Sequence, residues 1–189
     1  MTNELDTTAK CVISRLDSRD AVEKHLSGLT ALLQNCVNDD PANSSLGFLA
    51  PLPAQAADAY WLSLPDSISG ANPSTVLLIA TLGDQLLGTA QIARIPKQTQ
   101  DFRGEVRKLL VRSDTRGLGL GKRMMVEVER VATEEMKLDT LALDTDARSP
   151  ARGFYHKLGW TEWGVFPLYA KAADGVRHDC AFFLKRLDL

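Results

Sequence analysis

A glycine-rich segment, Arg116-Gly117-Leu118-Gly119-Leu120-Gly121, is the part of this sequence whose residue types most directly suggest chemistry. It follows an apolar run that ends at Val111 and precedes a stretch with the apolar periodicity of a helix. Glycines let a backbone approach an anion closely, exposed N–H groups donate to phosphate oxygens, and a helix N-terminus adds positive potential. Arg116 and Lys122 add cationic side chains. The segment therefore predicts a phosphate-binding loop between a strand and a helix.

The spacing of the glycines distinguishes between kinds of phosphate loop. A dinucleotide-binding fold uses the spacing G-x-G-x-x-G, whereas a P-loop ends on Gly-Lys followed by Ser or Thr. Here the third glycine, Gly121, comes one position early for the dinucleotide spacing. Arg123 occupies the position at which a P-loop has its hydroxyl. Both of those sites are therefore disfavoured.

Two motifs in order resemble the acyl-CoA site of the GNAT acetyltransferases. Arg116-x-x-Gly119-x-Gly121 is similar to the R/Q-x-x-G-x-G/A loop of that family. Downstream, Phe154-Tyr155-x-Lys157-x-Gly159-Trp160 resembles the second CoA segment of the family, a helix that runs into a strand. The pair of motifs implies a GNAT fold with acetyl-CoA as cosubstrate.

Over residues 104–187 the sequence looks like the tabtoxin-resistance acetyltransferases in particular. Where those relatives have Pro-Gly-Tyr, this chain has Pro167-Leu168-Tyr169, which indicates a different pocket wall. The likeness rests on Glu105-Val106-x-Lys108-Leu109, Leu143-Asp144-Thr145, Phe154-Tyr155 and Asp174-Gly175-x-x-His178.

The resemblance also implies roles for the matching residues. In the family the fourth and fifth strands diverge, and the pantetheine arm pairs with the exposed strand edge as a short extra strand would. The N–H of Leu110 would stabilise the oxyanion of the tetrahedral intermediate, and Tyr155 would protonate or hydrogen-bond the departing sulfur. The implied cofactor-binding residues are Leu109, Leu110, Val111, Arg116, Gly117, Leu118, Gly119, Leu120, Gly121, Lys122, Tyr155 and Lys157.

Amide formation needs a neutral amine, although an aliphatic ammonium has a pKa of about 10. A carboxylate, acting directly or through water, can accept the proton. Glu105 begins one predicted strand and Asp144 ends the next, so the two would face each other across a cleft if these strands are parallel neighbours. Both are candidates for the general base.

Plainer interpretations of the same residues stay open. The glycine loop could be an ordinary helix start, Tyr155 a core aromatic, and Glu105 and Asp144 surface charges. The cationic side chains of Arg103, Arg107, Lys108 and Arg112 form a basic cluster that could attract an acidic substrate or the adenosine 3′-phosphate. We expect a solvated face instead, since alternating strand charges usually form one.

Composition excludes several classes of protein. The 22 basic and 24 acidic side chains leave no positive field for nucleic acid. The three cysteines, Cys11, Cys36 and Cys180, are far apart, so the sequence indicates neither a disulfide framework nor a metal site. The sequence shows neither a secretory signal nor an apolar run of membrane length. We therefore expect a cytoplasmic protein with no metal.

The periodicity of the chain predicts an α/β fold with the order β-α-α-β-β-β-α-β-α-β-β, with one strand over Arg103–Val111. Ser18 and Ser149 are the predicted caps of the first and last helices, and residues 65–74 are predicted to be rich in turns. We expect a flexible N-terminus over residues 1–10 and a single domain over residues 11–189. The GNAT resemblance implies a mixed, twisted seven-stranded sheet flanked by about four helices. This sheet would splay between the fourth and fifth strands, here Glu105–Val111 and Leu138–Thr145.

These observations together predict an N-acetyltransferase that moves the acetyl group of acetyl-CoA to the amine of a small molecule, such as an amino-acid-like toxin or metabolite. The alternatives are a protein acetyltransferase for lysine or N-terminal amines and a non-catalytic acyl-CoA-binding module. Either a monomer or a homodimer is compatible with the sequence.

Overall fold

A computed structural model describes residues 10–41 and 46–187, which form seven strands and five α-helices. The strands are β1 (Val12–Leu16), β2 (Thr75–Leu82), β3 (Gln85–Arg94), β4 (Arg103–Val111), β5 (Thr140–Asp146), β6 (Thr161–Lys171) and β7 (Arg177–Arg186). The helices are α1 (Arg19–Gln34), α2 (Ala54–Leu62), α3 (Pro65–Ile68), α4 (Leu120–Arg130) and α5 (Pro150–Lys157). A π-helical turn continues α1 over Asn35–Asp39, and another continues α4 over Val131–Glu135.

All seven strands belong to one sheet, in the order β1-β2-β3-β4-β5-β7-β6. The neighbours β4 and β5 are parallel, while every other pair of neighbours in the sheet is antiparallel. The mixed seven-stranded sheet predicted from the sequence is therefore confirmed.

The sheet splays between its two parallel strands. Pairing of β4 with β5 runs only from Arg103 opposite Thr140 to Glu105 opposite Ala142. Beyond these three residue pairs the strands separate and leave a V-shaped opening, as the family resemblance implies. This opening lies at the carboxyl ends of two parallel strands, a common position for ligands in α/β sheets.

A bulge in β4 shapes one wall of the opening. The register between β3 and β4 shifts between Thr89 and Gln91, so that β4 has one more residue than β3 at this point. Lys108 lies in the bulge with a left-handed backbone (φ 47°), which is uncommon for a residue other than glycine.

The two faces of the sheet are covered differently. Helices α4 and α5 pack on one face, where Met124, Val128 and Phe183 are fully buried. Helices α1 to α3 pack on the other face and share a core with β2, β3 and the end of β4, including Leu110. Because side chains alternate along a strand, Asp144 of β5 and Phe182 of β7 lie on this second face, next to the opening.

Most elements match their predicted positions. Ser18 and Ser149 cap α1 and α5, since each side chain accepts a hydrogen bond from a backbone N–H in the first turn. Helix α3 lies in a segment that was predicted to contain only turns. Residues 1–9 of the predicted flexible N-terminus lie outside the described residues, and the single-domain interpretation stays a prediction. No helix within the described ranges is both long and apolar enough to cross a membrane.

Candidate active site

A cavity of about 900 Å³ occupies the opening between β4 and β5. Strand β4 lines it from Glu105 to Val111, and β5 and α5 line the opposite side. Among the described residues, Leu118 is the one predicted site residue outside this lining. The predicted residues that line the cavity are Glu105, Leu109, Leu110, Val111, Arg116, Gly117, Gly119, Leu120, Gly121, Lys122, Asp144, Tyr155 and Lys157.

The glycine loop has the geometry that a diphosphate requires. Gly117 and Gly119 have left-handed backbones (φ 79° and 89°), and Gly119 immediately precedes the first residue of α4. A Cβ atom at either position would meet no described atom within 4 Å, so the space in front of the loop is open. At Gly121, in contrast, a Cβ would lie 3.4 Å from the ring of Phe154. The loop therefore presents backbone and the positive end of α4 to the cavity.

Arg116 holds this loop in place from behind. Its guanidinium forms an ion pair with Asp40 and donates a hydrogen bond to the carbonyl oxygen of Val111 at 3.0 Å. The Sγ atom of Cys36 lies 3.6 Å from the same guanidinium. Because Asp40 pairs with Arg116, this guanidinium adds less positive potential to the cavity than its position in the motif suggests. The sequence pattern did not identify Asp40 or Cys36 as partners of the loop.

The two candidate bases lie on facing strands but in different environments. Glu105 forms an ion pair with Arg107 at 2.5 Å. Asp144 is partly buried, and its pKa is raised by this burial and by the negative charge of Glu105, while Lys108 and Arg107 act in the opposite direction. The sequence expectation that these carboxylates come together is therefore met. Asp144 is the one whose environment favours the protonated form.

Tyr155 combines two environments that the sequence left as alternatives. Its ring packs in the core against Phe154, Trp160 and Phe183, with ring centroids 5.3 to 5.9 Å apart. It also lines the cavity. Burial, followed by the charge of Asp144, raises the pKa of its phenol well above the usual value, so the hydroxyl keeps its proton at neutral pH.

Lys108 is not part of a solvated face, which corrects the expectation for the basic cluster. Its Nζ donates to the carbonyl oxygen of Leu46 at 2.9 Å and lies 5.0 Å from the ring centroid of Phe48 and 5.7 Å from that of Tyr60. Burial lowers the pKa of its ammonium. Lys108 thus connects the bulge of β4 to the segment between α1 and α2.

The bulge also determines which backbone donors face the cavity. The hydroxyl of Thr89, on β3, donates to the carbonyl oxygen of Lys108 at 2.9 Å. The C=O of Lys108 and the N–H of Leu109 belong to one trans peptide group and point in opposite directions. The N–H of Leu109 therefore points away from β3, toward the opening. The backbone N–H of Arg112 donates to the carbonyl oxygen of Leu87 on β3. Because backbone groups alternate along a strand, the N–H of Leu110, two residues earlier, also faces β3. The expectation that Leu110 supplies the oxyanion donor is therefore wrong, because its N–H faces the neighbouring strand.

The arrangement described so far has close counterparts among known proteins. A sequence model of the acetyltransferase (GNAT) family matches residues 46–160, more than half of the chain. The chain belongs to the acetyltransferase (GNAT) family. Acetyl-CoA is therefore the cosubstrate of this acetyltransferase, and acyl transfer is its class of reaction.

Solved structures of acetyltransferases share the fold over nearly the whole chain. A ribosomal-protein-alanine N-acetyltransferase from Brucella melitensis is 21% identical, with a TM-score of 0.70 and coverage of 93% of this chain and 99% of that one. A candidate phosphinothricin N-acetyltransferase is 18% identical, with a TM-score of 0.72 and coverage of 95% and 99%. A candidate acetyltransferase from Salmonella typhimurium, solved with its cofactor acetyl-CoA, is 14% identical, with a TM-score of 0.70 and coverage of 95% of each chain.

These identities are low enough that the likeness shows the fold alone. The first two neighbours are named for different acceptors, one a ribosomal protein and the other phosphinothricin. The acceptor of the present acetyltransferase must therefore be inferred from its own residues.

Two segments that the sequence did not connect meet beside the cavity of the acetyltransferase. The N–H of Ala50, between α1 and α2, donates to the carbonyl oxygen of Ala173, in the turn between β6 and β7, at 2.9 Å. Leu46 and Gly47 line the cavity from the first of these segments, and Tyr169 and Ala170 line it from β6. The segment between α1 and α2 and the turn between β6 and β7 thus meet beside the cavity.

One of the three histidines and one of the three cysteines of the acetyltransferase are buried near the end of the sheet formed by β5 to β7. His178 is buried and pairs with Asp146 of β5, an interaction that spacing alone did not reveal. Cys180 is fully buried, and burial raises the pKa of its thiol to about 12, which suits a packing role. Within the described ranges no group of three or more His, Cys, Asp or Glu side chains is arranged to hold a metal ion.

Proposed function

We propose that this acetyltransferase acetylates the primary amine of a small molecule. The observation that carries the proposal is the placement of Asp144, a carboxylate with a raised pKa, across the opening from Glu105. A carboxylate with a raised pKa is the stronger base and can take the proton of an ammonium that binds between the strands. Because Glu105 is already paired with Arg107, we assign it to orienting the bound ammonium by hydrogen bonding and not to accepting its proton.

The boundaries of the cavity support a small acceptor over a peptide. The hydrogen bond between Ala50 and Ala173 joins the segments on either side of the acceptor entrance. An extended peptide would need an open groove through this position. The likeness of residues 104–187 to the tabtoxin-resistance acetyltransferases also favours a small amine, and detoxification of an amino-acid-like toxin is one role within the proposal.

The cofactor side of the cavity has a place for each part of acetyl-CoA. The backbone of Gly117, Gly119 and Gly121 and the N-terminus of α4 would hold the diphosphate, with Lys122 adding charge. The strand edge at Leu109 and Val111 would pair with the pantetheine amides. Lys157 lies at the rim of the same cavity. When bound, acetyl-CoA supplies the acetyl group as a reactive thioester.

Two further groups are proposed to act on the reacting atoms. The N–H of Leu109 would donate a hydrogen bond to the acetyl carbonyl oxygen, because the bulge turns it toward the opening. The phenol of Tyr155, which burial keeps protonated, would hydrogen-bond or protonate the departing sulfur. The role of Leu109 replaces the one that the sequence suggested for Leu110. A cytoplasmic location belongs to the same proposal, which the buried thiols of Cys11, Cys36 and Cys180, none of them in a disulfide, support.

The first experiment tests the cofactor site. We would titrate the protein with acetyl-CoA in a calorimeter and compare Gly119→Asp with Gly119→Asn. Asp and Asn have the same shape, and both tolerate a left-handed backbone, so the comparison isolates the negative charge. We expect Gly119→Asp to bind at least about tenfold more weakly than Gly119→Asn, since a carboxylate would repel the diphosphate. Equal affinities would place the diphosphate elsewhere.

The second experiment tests the chemistry. Wild type, Asp144→Asn and Tyr155→Phe would be assayed for thiol release with a panel of small amines and with peptides that present lysine or a free N-terminus. We expect turnover of small amines, lowered about 10²-fold or more by Asp144→Asn, with acetyl-CoA affinity unchanged. Turnover of peptides alone would support a protein acetyltransferase. Binding of acetyl-CoA without any turnover would support a non-catalytic module.

A further inference from the structure

Four aromatic side chains form a connected, uncovered surface on β6 and β7, which we name the aromatic quartet: Trp163, Phe166, Tyr169 and Phe182. Trp163 is 62% exposed, Phe166 57% and Tyr169 49%. The ring of Phe182 lies 5.5 Å from that of Trp163 and 5.0 Å from that of Tyr169, and the ring of Phe166 lies 5.3 Å from that of Tyr169. Single exposed aromatics are ordinary, but a contiguous apolar patch of this kind marks a binding surface.

The aromatic quartet is continuous with the candidate active site. Phe182 is the direct partner of Asp144 in the antiparallel ladder of β5 and β7, so the two side chains are neighbours on one face. Tyr169 lines the same cavity as Asp144 and Glu105. An apolar surface therefore begins beside two carboxylates and extends away from them. That combination is complementary to a molecule with a cationic amine at one end and an apolar group at the other.

The backbone of β6 is irregular at the point where it presents Tyr169. Between Phe166 and Ala170 the strand has two more residues than β7 has between Cys180 and His178. Leu168 lies in this irregularity with φ 51°, and its N–H donates to Asp179 Oδ1 at 2.8 Å. Strained non-glycine backbone that is anchored in this way is typical of ligand clamps. Its consequence here is that the ring of Tyr169 packs edge to face on Phe182.

We propose that the aromatic quartet binds the non-reacting end of the acceptor, and that the acceptor is a primary amine that carries an aryl group. This inference rests on the proposed function and specifies its substrate class. The ammonium lies at Asp144 and Glu105, and the aryl ring packs against Phe182 and Tyr169, with Trp163 and Phe166 extending the contact for larger rings. Phe182 and Tyr169 are thus specificity-determining residues.

The test compares acceptors that differ at the non-reacting end. Phenethylamine, 2-cyclohexylethylamine and n-propylamine would be assayed at saturating acetyl-CoA with wild type, Phe182→Ala, Phe182→Leu and Trp163→Ala. Phe102→Ala removes another exposed ring that lies outside the aromatic quartet and the cavity lining, and serves as the matched control. If Phe182→Ala does not fold, the test still rests on Phe182→Leu and on Trp163→Ala, which changes an exposed side chain.

We expect wild type to prefer phenethylamine over n-propylamine in kcat/KM by about tenfold or more, as an added apolar contact of this size provides. Phe182→Ala should remove most of that preference, Phe182→Leu and Trp163→Ala should reduce it, and Phe102→Ala should leave it unchanged. A second readout is calorimetry of phenethylamine with protein saturated with CoA, in which no reaction occurs. The affinity for phenethylamine should fall most in Phe182→Ala, less in Phe182→Leu and Trp163→Ala, and not at all in Phe102→Ala.

Other results would overturn the inference in distinguishable ways. Equal kcat/KM for all three amines, unaffected by the variants, would refute the inference while the proposed function stands. If acetyl-CoA binds but no amine is turned over, the proposed function itself fails. If Trp163→Ala and Phe182→Leu instead convert a dimer into a monomer in analytical ultracentrifugation, without any change in amine preference, the aromatic quartet is an interface between two copies of this chain.

Discussion

At the scale of single residues, the proton affinity of Asp144 links its surroundings to its proposed role. Burial and the charge of Glu105 raise the pKa of Asp144, and the cations of Lys108 and Arg107 lower it. A general base must be deprotonated before it can accept a proton. Activity should therefore be lost as the pH falls through the raised pKa, above the usual aspartate value of about 4.

The fall of activity at low pH forms the acidic limb of the pH profile. We expect two substitutions to move this limb in opposite directions. Glu105→Gln removes a negative charge and frees Arg107, so the pKa of Asp144 falls and the limb moves to lower pH. Arg107→Gln removes a cation and leaves Glu105 unpaired, so the limb moves to higher pH. The measurement is kcat/KM for one amine across pH, with acetyl-CoA saturating. Shifts in the same direction, or none, would show that the limb does not report Asp144.

Leu168 is a second residue whose own geometry makes a prediction. Its left-handed backbone (φ 51°) is a conformation that favours glycine over leucine. Leu168→Gly should stabilise the fold by about 1 kcal/mol, because it relieves the strain of a non-glycine residue in this region. Urea unfolding measures the change in the free energy of unfolding.

Leu49→Gly is the control for this prediction. Leu49 is exposed, as Leu168 is, but its φ is not in the left-handed region. The same substitution at Leu49 should therefore destabilise the protein, since glycine there only adds freedom to the unfolded chain. If both substitutions lower the free energy of unfolding, the side chain of Leu168 stabilises the fold by more than its backbone strain destabilises it.

At the scale of secondary structure, the π-helical turn after α1 supports the phosphate loop. Asn35 accepts a hydrogen bond from the N–H of Ser113 at 2.9 Å and donates to its hydroxyl at 3.0 Å. Asp40, just after the turn, pairs with Arg116. The loop that would hold the diphosphate is thus attached at two points to an element far away in sequence.

We expect Asn35→Ala to weaken acetyl-CoA binding and to lower the free energy of unfolding by about 1–2 kcal/mol, because it removes both hydrogen bonds to Ser113. Asn38→Ala is the matched control. Asn38 makes the same kind of paired bonds, accepting from the N–H of Leu52 at 2.7 Å and donating to its carbonyl oxygen at 3.1 Å, but it does not contact the loop. It should destabilise similarly and leave acetyl-CoA affinity unchanged. Equal losses of affinity would assign the effect to global stability.

The sequence predicted the elements well where local patterns determine them. Strand β4 has the bounds that the pattern predicted, and the caps Ser18 and Ser149 begin their helices as expected. The bulge at Lys108 was not predictable, because it depends on contacts with Thr89 and with the carbonyl of Leu46. For the same reason the sequence suggested the wrong backbone donor, since one inserted residue reverses which N–H groups face the opening.

At the scale of the whole molecule, two parts of the sheet are held together by few backbone contacts. Strands β1 to β4 form one part and β5 to β7 the other, and only three residue pairs join β4 to β5. The hydrogen bond from Ala50 to Ala173 provides a second connection on the acceptor side. A cofactor in the opening would contact both parts, so its binding should stabilise the fold by linkage.

Amide exchange resolved by residue should reveal how the cofactor joins the two parts. The N–H of Leu110 faces β3 and should already exchange slowly in the free protein, whereas those of Leu109 and Val111 face the opening and should exchange faster. Acetyl-CoA should slow amide exchange at Leu109 and Val111 strongly, because the acetyl carbonyl oxygen would accept from the N–H of Leu109 and a pantetheine amide would accept from that of Val111. In the Gly119→Asp variant, measured at the same cofactor concentration, that protection should be lost, while amide exchange at Leu110 should stay slow. Rapid exchange at Leu110 in the free protein, with protection only on binding, would instead restore Leu110 as the donor and show that the bulge does not turn Leu109 toward the cavity.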